Sequence, residues 1–546
     1  MSQAAYTAAT RGRLTSCGVG TGRAATSAIL ALLAAGTLLS RLPFLTPRLA
    51  HWDAVNYALG LHDFNVAAHQ PHPPGSPYFI LLGRAALAVA GDDNAALILV
   101  SLVASVGAVI AEYWLVRVLF GRLTALLAAV VLMTQPVFWG YGTTANSWTL
   151  LACLATCIGL TCATVMRGSG RLVMPSALLL GFASGFRLDA TVFLGPLWLL
   201  AIWRAEPSVW RRLMAIALVA ACVLVWLVPV AATGGGLSAW WERMLALLPS
   251  TDATLNSEVR QLAANTLISF GTLAFTIGPP LVLAGLCNWR SAGQSLGATL
   301  HSHAGAFWIL WIAPPLVFLW LVDSTEPGHT LVFTGALCAL GVGVLAKTAR
   351  SLSRLVGCVG LVVAAQTLVF LSAAPLSNRP LAWTADSMLL NVTAPGLRQQ
   401  QVSLSAALQA IRSQFDPLDT LVLTVTDQDP YRFMMYYLPE YQVLRLDPHA
   451  HSVLASRGWR QSNWREAAGC ISDSAGVHNA VWVLSSTSEP GLSPSDAKLV
   501  SGADHGPFQV WAERTGAGEP EYLGFKFGGQ CDALEVPSPL DRAGAT

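Results

Sequence analysis

The sequence predicts a polytopic α-helical membrane protein of about 11 transmembrane helices, with a small C-terminal α/β domain outside the membrane. Three observations predict it. Of 546 residues, 54% are hydrophobic and only 11% charged, and the mean hydropathy is +0.53. Soluble chains carry roughly a quarter charged residues, so this one has too little polar surface to stand in water. A soluble enzyme, a disordered scaffold and a nucleic-acid binder are excluded together. The charge is also uneven: residues 1–374 hold 20 Lys and Arg against 12 Asp and Glu, whereas residues 375–546 hold 12 and 18. Long apolar runs fill the first part and stop near residue 374.

In lipid the backbone must satisfy its own hydrogen bonds, so apolar segments of about 20 residues read as spanning helices. The expected spans are 25–43, 95–115, 123–140, 146–166, 172–186, 190–203, 213–232, 264–286, 304–322, 330–346 and 355–373. Two of them, 172–186 and 190–203, are short enough to form one kinked pair. Arg11, Arg13 and Arg23 precede the first span without a small-residue cleavage pattern, so 1–24 reads as a cytoplasmic anchor segment. The positive-inside rule then puts Arg117, Arg122, Arg167, Arg171, Arg204, Arg211, Arg212, Arg290, Lys347, Arg350 and Arg354 on the same side. The first outer loop, 44–94, lies opposite, as do 141–145, 187–189, 233–263 and 323–329. Counting 76–91 as a span would invert the later basic loops, so it reads as a re-entrant or interfacial helix.

Beyond 375 the pattern changes. The stretches 420–426, 441–446, 480–484 and 508–511 are short, β-branched and aromatic, bounded by Asp, Pro and Gly, and read as strands. Residues 402–414 show helical spacing. Eight of the ten cysteines sit at 17 or within or beside the spans, as small buried hydrophobes. Cys470 and Cys531 lie in the tail and suit a disulfide outside the cytosol. No Cys-x-x-Cys, Walker-type glycine loop or His-Glu-x-x-His element occurs, so a nucleotide-driven pump and a zinc protease lose support.

In a membrane body the informative residues are ionisable ones close to the apolar region. The densest group is in the first outer loop: His51-Trp52-Asp53-Ala-Val-Asn56-Tyr57, His62-Asp63, then His69-Gln-Pro-His72-Pro-Pro-Gly75-Ser-Pro-Tyr78. A solvated loop with an ordinary Asp is the plain reading. Against it stand four histidines, a Trp and two carboxylates within thirty residues, followed by a stiff Pro-Pro-Gly turn. His69 and His72 have no partner pattern that completes a metal site, so a substrate role ranks above metal and no cofactor is expected. In Gly181-Phe-Ala-Ser-Gly185-Phe-Arg187-Leu-Asp189 the small residues permit close helix packing. Arg187 and Asp189 either cap a turn against each other, or Arg187 holds an anion in its guanidinium fork. The third group is Asp323-Ser-Thr-Glu326-Pro-Gly-His329, where His329 begins a helix.

These motifs resemble those of the GT-C glycosyltransferases, and particularly bacterial proteins of the protein O-mannosyltransferase type. The resemblance rests on Asp53, on His69-Gln-Pro-His72-Pro-Pro-Gly75-Ser-Pro-Tyr78, and on Gly185-Phe-Arg-Leu-Asp189, and covers roughly residues 25–375. Ala54 departs from the Asp-Glu of O-mannosyltransferases proper, and Ser76 stands where related sequences often have Tyr. The resemblance implies transfer of one sugar from a polyprenyl-phosphate donor to a protein, lipid or polysaccharide acceptor on the outer face of the inner (plasma) membrane. The leaving lipid phosphate needs positive charge rather than a proton, and the incoming hydroxyl needs a base. Asp53 is then the base, and Arg187, His329 and His72 face the phosphate. His69, Asp189, Tyr57 and Tyr78 complete the expected substrate-binding set. A single displacement inverts the anomeric carbon. The competing class is a multi-span transporter or lipid-linked-sugar flippase, which needs buried charge but no covalent transfer.

Overall fold

The computed structural model describes residues 23–245, 255–301, 305–322, 326–374, 390–425, 428–447, 452–461, 479–484, 497–502 and 508–514, with short pieces at 465–466, 470–471, 521–522 and 525–527. In chain order, α1 is Arg23–Arg41, α2 Trp52–His62, α3 Pro77–Ala90, α4 Asp93–Phe120, α5 Arg122–Thr134, α6 Pro136–Tyr141 and α7 Trp148–Met166. They are followed by α8 Val173–Phe186, α9 Leu188–Ala205, α10 Val209–Thr233, α11 Leu237–Leu245, α12 Leu255–Thr276 and α13 Gly278–His301. The body closes with α14 Gly305–Leu321, α15 Leu331–Thr348 and α16 Leu352–Ser372.

Each expected span falls on helix. Among the described residues seven helices are long and apolar enough to cross a membrane, and α12 with α13 makes an eighth, bent by 49°. The helices α5, α8 and α14 are apolar but shorter. Three boundaries differ from expectation for local reasons. The 123–140 run breaks at Gln135 because the residue before Pro136 is pushed out of the helical region, here to φ −61°, ψ 124°. The expected loop 187–189 between two spans shrinks to Arg187 alone, whose extended backbone (φ −150°, ψ 111°) ends α8 and starts α9. The first outer loop is largely helical: α2 and α3 occupy most of it. At 14 residues α3 is about 21 Å long, too short to cross about 30 Å of hydrocarbon.

The helix α15 is buried along nearly its whole length, against α13, α7 and α5, whereas α1 and α10 leave most of their apolar side chains exposed. That contrast is what a lipid-facing periphery around a packed centre requires. Gly181 lets α8 press on α10: a Cβ there would lie 2.6 Å from Cys222 Cβ and 3.1 Å from the Val219 backbone. Gly185 likewise meets the Tyr78 ring.

The tail forms a mixed sheet with two helices, and a separate small sheet in which Cys470–Ile471 pairs with Phe525–Phe527 and that strand with Glu521–Tyr522. The helix α17 is Ala394–Gln414 and α18 is Gln428–Tyr437; β1 is Thr420–Val425, β2 Gln442–Asp447, β3 Ser452–Arg457, β4 Arg460–Gln461, β5 Arg465–Glu466, β6 Cys470–Ile471, β7 Asn479–Leu484, β8 Lys498–Ser501 and β9 Gln509–Arg514. The order is β4-β3-β2-β1-β7-β9-β8, with β1 parallel to β2 and β7. The four expected strands are β1, β2, β7 and β9. The helix α17 packs on β8 and β9, and α18 on β1, β2 and α2. Cys531 lies outside the described residues, and with it the expected disulfide to Cys470.

Candidate active site

Asp53 sits in the first turn of α2, where a carboxylate suits the helix N-terminus. Its side chain is 14% exposed, and its Oδ1 lies 3.4 Å from His72 Nδ1. His72 is held between the Trp52 and Tyr57 rings, at centroid distances of 5.2 and 5.7 Å. The turn after it is set by Gly75, whose amide donates to His72 O at 3.0 Å. Gly75 has φ 107°, and a side chain there would press on Val66 and Val230. Burial lowers the His72 imidazole below its ordinary range, against an opposing pull from Asp53. Burial also raises the Tyr57 phenol to about 12, with Asp53 adding to the rise.

One turn beyond Asp53, Tyr57 reaches the second half of the site. Its hydroxyl shares a 3.1 Å hydrogen bond with Ser147 Oγ. The same Ser147 Oγ accepts from Arg187 Nη1 at 3.0 Å. Arg187 grips Asp189 with its fork, Nε to Oδ1 at 3.1 Å and Nη2 to Oδ2 at 2.7 Å. Its guanidinium lies 3.7 Å above the Trp148 ring. His329 meets the Trp148 ring edge-on at 4.4 Å, and His329 Nδ1 is 3.7 Å from Asp189 Oδ2. Arg187 thus pairs with Asp189, the first of its two readings, and spends a further N–H on Ser147.

The structure therefore brings together Asp53, Tyr57, His72, Arg187, Asp189 and His329. His69 is one ring further out, edge-on to Trp52 at 6.1 Å, with a left-handed backbone (φ 56°). Burial, with Arg432 and His72 nearby, lowers its imidazole to about 3. Tyr78 lies apart from the polar group, stacked on Phe182 at 4.7 Å and against Phe186. Asp63 is exposed at the end of α2. Asp323 lies outside the described residues; Glu326 is within them and accepts from Tyr141 Oη at 2.8 Å.

Sequence reasoning missed Ser147 and Trp148. They stand at the buried start of α7, Ser147 just before it and Trp148 its first residue, where Asn146 Oδ1 accepts from Trp148 N at 2.9 Å and Ser101 Oγ donates to Asn146 O at 2.8 Å. Nothing in that local sequence distinguishes it from an ordinary turn. Several buried polar atoms of the site find no hydrogen-bond partner among the described residues: His51 Nε2, Trp52 Nε1, both amide atoms of Asn56, His72 Nδ1 and His329 Nδ1. Such atoms are costly unless a ligand or water completes them. Among the described residues no group of three or more His, Cys, Asp and Glu side chains is placed to hold a metal ion.

Residues 71–232, which contain His72, Ser147, Arg187 and Asp189, match the family model of dolichyl-phosphate-mannose-protein mannosyltransferase. The fold matches the crystal structure of ArnT from Cupriavidus metallidurans in the apo state with a TM-score of 0.55 and 14% identity, covering 90% of this chain and 98% of that one. The chain shares the fold of that membrane protein. The structure of the same ArnT bound to undecaprenyl phosphate matches with a TM-score of 0.52 and 13% identity, covering 90% and 98%. No curated protein sequence matches the chain. The family match takes in the His72-Pro-Pro-Gly75 and Gly185–Asp189 motifs on which the sequence resemblance rests, and the helical membrane body with its C-terminal sheet is matched by the fold. At these identities the structural likeness speaks for the fold alone.

Proposed function

We propose that the chain transfers a single sugar from a polyprenyl-phosphate donor to an acceptor hydroxyl on the extracytoplasmic face of the plasma membrane, with inversion. The observation that carries this is the placement of Asp53 beside a cationic and polar cluster built from three distant parts of the chain. Residues 25–374 form the catalytic membrane domain, 1–24 a cytoplasmic lead and 375–546 an outer domain. In this reading the acceptor oxygen attacks the anomeric carbon, the bond from that carbon to the phosphate oxygen breaks, and the acceptor proton passes to Asp53. The released lipid phosphate gains a negative charge, which Arg187, His329 and His72 face. Tyr57 and Ser147 tie the base side of the site to the phosphate side, so both are set by one hydrogen-bonded chain. Asp189 fixes the fork of Arg187. The undecaprenyl phosphate in the ArnT complex supports a lipid phosphate as the donor's carrier.

The test offers purified protein a polyprenyl-phosphate sugar and, separately, a nucleotide sugar, with product stereochemistry read by NMR. Transfer from the lipid donor with inversion is expected. Retention of configuration, use of the nucleotide sugar alone, or movement of lipid-linked sugar across vesicles without covalent transfer would overturn the reading.

A further inference from the structure

The outer domain does more than hang from the last span. It grips both chain segments that carry the Asp53–His72 pair. Three backbone groups just ahead of Asp53 are tied to it: Arg48 N donates to Gln401 Oε1 at 3.1 Å, Leu49 N to Tyr437 Oη at 2.8 Å, and Ala50 O accepts from Gln400 Nε2. The segment ahead of His72 is tied as well. Arg432 Nη2 donates to Ala68 O at 2.9 Å, and Gln70 Nε2 donates to Trp459 O at 3.1 Å. A third tie joins Tyr436 Oη to Asp93 Oδ2 at 2.7 Å; Asp93 also holds His62 at the end of α2, at 2.9 Å. Trp459 closes the arrangement, stacked on Tyr436 at 5.3 Å and against His62 at 4.8 Å.

Arg432, Tyr436 and Tyr437 all lie on α18, within two turns of each other. One rigid element therefore fixes the segment before the base, the segment before the imidazole, and the helix end that carries Asp93. We propose that α18 is a splint that sets the spacing of Asp53 and His72, with Arg432 and Tyr437 as positioning residues for transfer. The inference rests on the function proposed above, but its first readout does not.

Hydrogen exchange on the intact detergent-solubilised protein supplies that readout. Arg432→Gln and Tyr437→Phe each remove one tie. Both are expected to raise exchange at the Leu49, His69 and Gln70 amides while α7 stays protected, and Arg432→Lys to restore part of the protection. The second readout is transfer from the lipid donor. A misplacement on the order of 1 Å costs about a hundredfold, so kcat should fall by roughly tenfold to a hundredfold with donor KM within about twofold. Unchanged exchange across residues 48–76 in both variants would overturn the splint. So would a KM rise that tracks lost thermal stability with kcat preserved, the mark of a merely structural role. If the wild type transfers nothing, the proposed function fails while the exchange result still decides the splint.

Discussion

Arg187→Gln separates two tasks that the site assigns to one guanidinium. In the structure Arg187 neutralises Asp189, whose side chain is 18% exposed, through contacts of 2.7–3.2 Å. Losing it leaves a mostly buried carboxylate without its partner, which costs about 3–5 kcal/mol. It also removes the cation assigned to the lipid phosphate. A charge-assisted hydrogen bond contributes about 1.5–3 kcal/mol, or roughly ten- to hundredfold in donor affinity. Both losses occur together in the single variant, so the double variant Arg187→Gln with Asp189→Asn is decisive. It replaces the ion pair by two amides of similar shape, and stability should return to within about 1 kcal/mol of wild type. Donor affinity should stay low. Thermal unfolding in detergent and competition binding with a polyprenyl-phosphate sugar measure the two quantities. If the double variant regains wild-type donor affinity, Arg187 serves only as the counter-ion of Asp189 and the phosphate assignment is wrong.

Three further outcomes are expected. Burial holds the His51 imidazole down to about 4 and His69 to about 3, so the unfolded chain takes up protons first as pH falls. Their stabilisation is present above about pH 6.5 and lost below it, about 2 kcal/mol each between pH 7 and 5. Melting curves at both pH values should show the loss, and His69→Asn, which keeps the left-handed backbone, should lessen it; no change would refute the burial argument. Gly181→Ala should destabilise by about 1–3 kcal/mol, because its Cβ meets Cys222 and the Val219 backbone; a wild-type melting temperature would contradict the close contact of α8 with α10. Glu112 is fully buried in α4 with both carboxylate oxygens unpartnered among the described residues, so Glu112→Leu should hold or raise the melting temperature by removing an unmet polar group. A marked drop would reveal a partner for that carboxyl.

The membrane body was legible because hydrophobic length is a direct physical requirement of lipid. The re-entrant reading of 76–91 came from charge balance, and the segment forms the 14-residue helix α3. Helix breaks were unevenly legible: Arg187 and Asp189 interrupt the apolar run and marked the break between 172–186 and 190–203, whereas the break before Pro136 went unread inside 123–140. For the site, the residues that signalled themselves were costly ones, such as Asp53, His72, Arg187 and His329. Ser147 and Trp148 carried no such signal, since a Ser and a Trp near a helix start are ordinary until the chain brings Tyr57 and Arg187 to them. Tyr78 follows the Pro-Pro-Gly turn, and its place beside Phe182 and Phe186 could not be read from that nearness in sequence. The role of the tail was the least legible of all, because its ties to Arg48, Leu49, Ala68 and Asp93 span more than 340 residues of sequence.

Asp53→Asn, assayed for sugar transfer from a polyprenyl-phosphate donor beside the wild type, tests the central claim most directly. The substitution keeps shape and removes the basic oxygen, so kcat should fall by about two to four orders of magnitude with the melting temperature held. A variant that keeps the wild-type kcat would mean that some other group takes the acceptor proton.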